Sequence, residues 1–187
     1  LPVFGALLFL YTQKNIGHRA LKKRYAELNT ETAETLVQSP ETAQALGQSD
    51  PGAAALARYV QRSGCYPVYD HTAVTYFPLG EDKFREMLIQ LETAEEYIFV
   101  EYFIIDEGLM WGKILEILAR KAKEGVEVRM LYDGTCELST LPHDYPRRLR
   151  SLGIQSKMFA PIKPFVSTHY NYRDHRKSLV IDGETAF

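Results

Sequence analysis

The chain has 187 residues, 45% of them hydrophobic and 25% charged, with a formal net charge of −2. This is the balance of a soluble globular protein with one moderate core and an appendage. Its two cysteines, Cys65 and Cys136, exclude a disulfide framework and a zinc finger, and read as free thiols in a reducing compartment.

The amino end, LPVFGALLFLY, is an apolar run about half as long as the roughly 20 residues that span a bilayer. Lys14, Arg19, Lys22, Lys23 and Arg24 follow with no acidic residue among them, as at the cytoplasmic end of a transmembrane helix. The expectation is the last part of a membrane helix in a truncated sequence, with the remainder cytoplasmic. A buried helix of a soluble domain is the alternative.

Residues 29–50 are rich in Thr, Glu, Gln, Ser and Ala, and read as a helix-prone linker punctuated by Pro40 and Gly47. PGAAALARYVQRSG suits a short helix, and YPVYDHTAVTYFPLG alternates as a hairpin does. From Glu81 onward amphipathic helices alternate with strands. The first strand, YIFVEYFII, is apolar enough to be expected buried on both faces. VEVRMLYD, IQSKMF and KSLVIDG supply three more strands, and WGKILEILARKAKEG and YPRRLRSLG two more helices. The fold class is α/β, a mixed sheet flanked by helices. Three segments are expected: 1–28, membrane helix end and basic flank; 29–64, helical linker; 65–187, the α/β unit.

In such sheets chemistry gathers at the carboxyl ends of strands, where Asp106, Glu107 and Asp133 fall. A helix cap or a turn is the other reading of each. Glu101 interrupts an apolar strand, and a carboxylate there needs a cationic or hydrogen-bonding partner, structural or functional.

Near the carboxyl end, NYRDHRKSLVIDG sets His175, Lys177 and Asp182 along a short apolar strand. Residues two apart share a strand face, so His175 and Lys177 point into one space. A neutral imidazole beside an ammonium suits phosphoryl chemistry: the ring attacks phosphorus and the ammonium neutralises the non-bridging oxygens. Arg173 and Arg176 are further donors for the same anion. Asp182, seven positions from His175, falls on the opposite face of an uninterrupted strand and is expected to pin the strand or loop. His169 lies in a tyrosine-rich loop as a surface or site-bordering residue.

The same stretch resembles the HxKxxxxD motif of the phospholipase D superfamily. Asn171, Tyr172, Arg173, Arg176 and Ile181 to Gly183 resemble its bacterial cardiolipin synthase branch. The similarity runs from about Tyr66 to Phe187. It implies phosphatidyl transfer through a phosphohistidine, phosphatidylglycerol giving cardiolipin plus glycerol, with no metal or other cofactor. Carried over by position, His175 is the nucleophile, Lys177 the phosphate ligand and Asp182 the third motif residue. Arg173, Arg176, Asn171 and Glu101 are candidate substrate-binding residues. Family members carry two such motifs and this chain carries one, so it reads as an amino-terminal half whose partner is a second catalytic half or a dimer mate. The implied setting is the bacterial inner membrane, with an anionic membrane surface as partner and no nucleic acid. Another enzyme of the superfamily (a phospholipase, a phosphatidylserine synthase or a nuclease) and a catalytically silent module binding anionic lipid are the alternatives.

Overall fold

A computed structural model of the chain describes residues 2–13, 16–162 and 173–187. The chain divides into two compact units, Leu1–Thr75 and Tyr76–Phe187.

The first unit is helical: α1 Pro2–Gln13, α2 Ile16–Thr35, α3 Pro40–Ser49 and α4 Pro51–Gly64. Two side-chain caps set where α3 and α4 begin. The Ser39 hydroxyl accepts from the Thr42 amide at 3.1 Å, and the Asp50 carboxylate from Ala53 at 2.9 Å, with proline in the first turn of each helix. Pro40 therefore opens a helix, while Gly47 lies inside α3 instead of breaking it. No helix among the described residues is long and apolar enough to cross a membrane.

The expected hairpin after α4 does not form. The Gln38 side-chain amide takes the place of a partner strand at Val68, accepting from its N–H at 2.8 Å and donating to its carbonyl at 3.1 Å. His71, at φ +56°, breaks the extended run further on. Alternation alone cannot supply a neighbour for the backbone to pair with.

In the second unit, α5 Gly80–Glu92 leads into β1 Tyr97–Tyr102. Next come α6 Leu109–Glu124, β2 Glu127–Asp133, α7 Cys136–Ser139, α8 Tyr145–Ser151, β3 Gln155–Phe159, β4 Lys177–Ile181 and β5 Thr185–Ala186. The sheet order is β3-β2-β1-β4-β5. β1, β2 and β3 run parallel, and β4 runs antiparallel to β1 and to β5, which makes the sheet mixed. From β1 the chain adds β2 and β3 on one side and then returns to place β4 on the other, so the carboxyl end of β1 lies at a topological switch point.

Alternation decides which side chains are buried. Ile98 and Val100 of β1, Val128, Met130 and Tyr132 of β2, and Leu179 and Ile181 of β4 join one core. Met87 and Leu91 of α5, Ile114 and Leu118 of α6, and Tyr145 and Leu149 of α8 complete it. The other residues of β1 are not buried as expected: Tyr97 and Phe99 are half-buried, and the strand ends at Tyr102. Their rings stack on each other at 4.6 Å, with the Arg129 guanidinium 5.2 Å from the Phe99 centroid. Phe99, Leu131 and Val180 thus line an open groove of about 860 Å³. The continuous apolar run suggested a strand covered on both sides, but here aromatic and cationic neighbours cover one side instead of a layer of helices.

Candidate active site

Lys177 opens β4 opposite Tyr102, the last residue of β1, and the Phe103 amide donates to the Arg176 carbonyl at 3.1 Å. The His-x-Lys pair therefore sits at the carboxyl edge of the parallel strands, at the switch point. Both side chains are exposed. The Lys177 Nζ lies 2.8 Å from His175 Nδ1 and 3.2 Å from Nε2, and donates to the His175 carbonyl at 2.7 Å. The ammonium can only donate, so the tautomer of the ring decides which of its nitrogens receives that hydrogen bond. Phe103 is the shared wall: its ring is 4.6 Å from the His175 ring, and its centroid is 5.3 Å from the ammonium. An imidazole beside an ammonium at an open edge suits phosphoryl chemistry, the ring as nucleophile and the ammonium against the negative charge of the phosphate oxygens.

Asp182 is at the other end of β4, five steps or about 17 Å of extended chain from Lys177. Its Oδ2 accepts from Glu95 N–H at 2.8 Å, and its Oδ1 from Glu96 at 2.9 Å and Tyr97 at 2.7 Å. Asp182 has φ +51° and Gly183 φ +72°, and they form the turn that folds β5 back onto β4. A Cβ at Gly183 would sit 2.6 Å from the Tyr97 hydroxyl, a second reason for glycine there. Partial burial pushes the Asp182 carboxyl up, but the three amides and Lys121 outweigh it and hold it below the ordinary carboxylate range.

The two arginines are each committed to carboxylates. Arg173, nine-tenths buried, lies 3.4 Å from Asp133 Oδ1 and donates to the Ala160 carbonyl at 2.7 Å. Asp133 is fully buried, and its Oδ1 also accepts from the amide and hydroxyl of Thr135 at 2.8 Å each, fixing the turn after β2. Arg176 spans two acids. Its Nε donates to Asp174 Oδ1 at 2.9 Å and its Nη2 meets Glu101 Oε1 at 2.9 Å. Burial, then Asp174, pushes the Glu101 carboxyl up to about 7, while Arg176 pulls the other way. In Asp174 burial is outweighed by hydrogen bonds from Arg176 and Glu101, which take it down to about 2. The two acids titrate as a pair, with Glu101 the one pushed toward its protonated form.

The structure thus brings His175 and Lys177 together, ties Glu101 to Arg176, and sets Asp182 and Arg173 apart as anchors. Asn171 and His169 lie outside the described residues. Asp106 is exposed, and Glu107 pairs with Arg148 at 3.0 Å. Sequence reasoning missed Phe103 and Asp174. Phe103 reads as one more apolar strand residue, although an aromatic where a parallel strand ends is a usable signal. Asp174 reads as one charge in a mixed run. Cys136 is a buried free thiol whose Sγ lies 3.4 Å from the Ile105 amide and 3.3 Å from the Phe103 carbonyl, steadying the loop that carries the shared wall.

Fold and site define an α/β protein with a His-x-Lys pair at the switch point of a mixed sheet. No family model matches the chain. An uncharacterized protein of Streptococcus mutans is 52% identical over 186 residues, 100% of this chain and 40% of that protein. A cardiolipin synthase of Geobacillus kaustophilus is 32% identical over 100% of this chain and 37% of its own length. One of Alkalihalophilus pseudofirmus is 37% identical over 71% of this chain and 26% of its own length. By these relatives and its HxKxxxxD spacing, the chain belongs to the cardiolipin synthase-like proteins of the phospholipase D superfamily. It spans 40% or less of the length of these relatives. A solved structure of TrmBL2, an archaeal chromatin protein, aligns with 91% of this chain and 56% of that one at TM-score 0.41 and 10% identity, too loosely to bear on the fold.

Proposed function

We propose that the chain is one catalytic half of a cardiolipin synthase, which moves a phosphatidyl group from one phosphatidylglycerol to another and releases glycerol. The observation that carries this reading is the His175–Lys177 contact at the head of β4. His175 attacks phosphorus and the P–O bond to glycerol breaks, leaving a phosphatidyl group on the ring. A hydroxyl of the second phosphatidylglycerol then attacks the same phosphorus and frees the ring. Lys177 holds the non-bridging oxygens through both steps. The leaving alkoxide needs a proton while His175 is bonded to phosphorus, so a second group must act as acid and then as base. A second motif, from a further part of the protein or a dimer mate, would supply it. The working place is the cytoplasmic face of the bacterial inner membrane, where the basic run from Lys14 to Arg24 meets anionic lipid.

The test is a lipid product assay of the full-length protein on phosphatidylglycerol vesicles. Cardiolipin and glycerol in equal amounts are expected. Phosphatidic acid in place of cardiolipin would make the enzyme a phospholipase, and no lipid conversion would contradict the reading.

A further inference from the structure

Arg176 lies between the two site residues, and alternation sends its side chain away from theirs. Its guanidinium ties the segment ahead of β4, through Asp174, to β1, through Glu101. Its backbone carbonyl is meanwhile held by Phe103. The exposed His175 and Lys177 contact each other and Phe103, so the backbone between them is fixed from the opposite side by this three-residue clamp. We propose that Glu101 is a positioning residue for the His175–Lys177 pair, acting through Arg176. This rests on the phosphatidyl-transfer reading of that pair.

Protonated Glu101 donates to Asp174, and the clamp is neutral: one carboxylate against one guanidinium. When Glu101 loses its proton, near pH 7, the clamp gains a negative charge beside a site that takes an anion. The other charged groups facing Glu101 across its groove are Arg129 of β2, paired with Glu127 at 2.6 Å, Arg150, and Lys157 of β3. Among the described residues that line the groove, Glu101 is the acid.

Glu101→Gln imitates the protonated acid, accepting from Arg176 and donating to Asp174 at every pH. Glu101→Ala removes the clamp. In the full-length protein, Glu101→Ala should lower kcat at least tenfold with KM changed less than about twofold, and should lose the nuclear Overhauser contact between the His175 and Phe103 rings. Glu101→Gln should keep that contact and a kcat near wild type. It should also lack a three- to fivefold fall in kcat/KM that the wild type shows as pH rises through 7. Wild-type kcat with the ring contact intact in Glu101→Ala, or a fall near pH 7 that survives in Glu101→Gln, would overturn the proposal. The ring contact is read without turnover. Loss of the phosphatidyl-transfer reading would therefore show as an inactive wild type, while the contact still decides whether Glu101 positions the pair.

Discussion

Asp182 and Tyr97 hold each other twice. The Tyr97 amide donates to the Asp182 carboxylate at 2.7 Å, and the Asp182 amide donates to the Tyr97 carbonyl at 3.0 Å. With Glu95 and Glu96 also donating, one side chain gathers three successive amides where β1 begins. The third motif residue is thus bound into the sheet at the end remote from the histidine.

Asp182→Ala should therefore destabilise the protein by about 2–3 kcal/mol, the cost of leaving charge-assisted amide bonds unmade. Asp182→Asn should cost less, since asparagine keeps an acceptor and tolerates positive φ. The folded carboxyl lies below its ordinary value, so its contribution is complete above about pH 4 and is lost as pH falls through the folded value. Melting temperatures of wild type and Asp182→Ala should converge in strong acid and diverge toward neutrality. In the folded variants a phosphate analogue should bind as in wild type, and weakened binding without loss of stability would put Asp182 in the site.

Much of this was legible in the sequence. The 3.6-residue spacing of Phe84, Met87, Leu88 and Leu91 marks α5, and the β-branched and aromatic runs mark β1, β2 and β4. The pinning role of Asp182 is legible too, although its separation from His175 comes from its place in the turn at the far end of β4 and not from strand parity. What was not legible depended on distant partners. Gln38 satisfying Val68, Arg173 reaching back forty residues to Asp133, and Arg176 reaching across to Glu101 leave no periodic trace. β5 is too short to show a pattern of its own, and its one signal is the Asp182-Gly183 hairpin turn ahead of it.

The two arginines should separate cleanly. Arg173 is 10% exposed beside a fully buried Asp133, so Arg173→Ala leaves an uncompensated buried charge and should cost about 3 kcal/mol. Arg176 is 68% exposed, and Arg176→Ala should cost under about 1 kcal/mol while lowering activity. Chemical denaturation of the two variants reads the difference. Equal stabilities would remove the anchoring role of the Asp133 pair.

Gly134 tests the same anchor from the other side. A Cβ there would lie 2.7 Å from the Ala160 carbonyl, the group that Arg173 binds, and 2.8 Å from Pro161 Cα. Both are backbone atoms that cannot swing aside. Gly134→Ala should therefore lose about 1–3 kcal/mol, and unchanged stability would mean that the turn at 160–161 is free to move.

Lys177 meets the imidazole, the His175 carbonyl and the Phe103 face with one compact ammonium. A planar guanidinium cannot reproduce those contacts from the same backbone position, so Lys177→Arg should lower kcat by tenfold or more despite the conserved charge. Steady-state kinetics on phosphatidylglycerol vesicles measures it. Near-normal turnover would reduce the lysine to a source of field.

The central claim is that His175 carries the phosphatidyl group. An acid-sensitive phosphohistidine, trapped by rapid denaturation of the full-length enzyme with radiolabelled phosphatidylglycerol and located by peptide mapping, tests it most directly. The label should map to His175 and vanish in His175→Ala together with cardiolipin formation. Label that persists in His175→Ala, or maps to another part of the protein, would contradict the account.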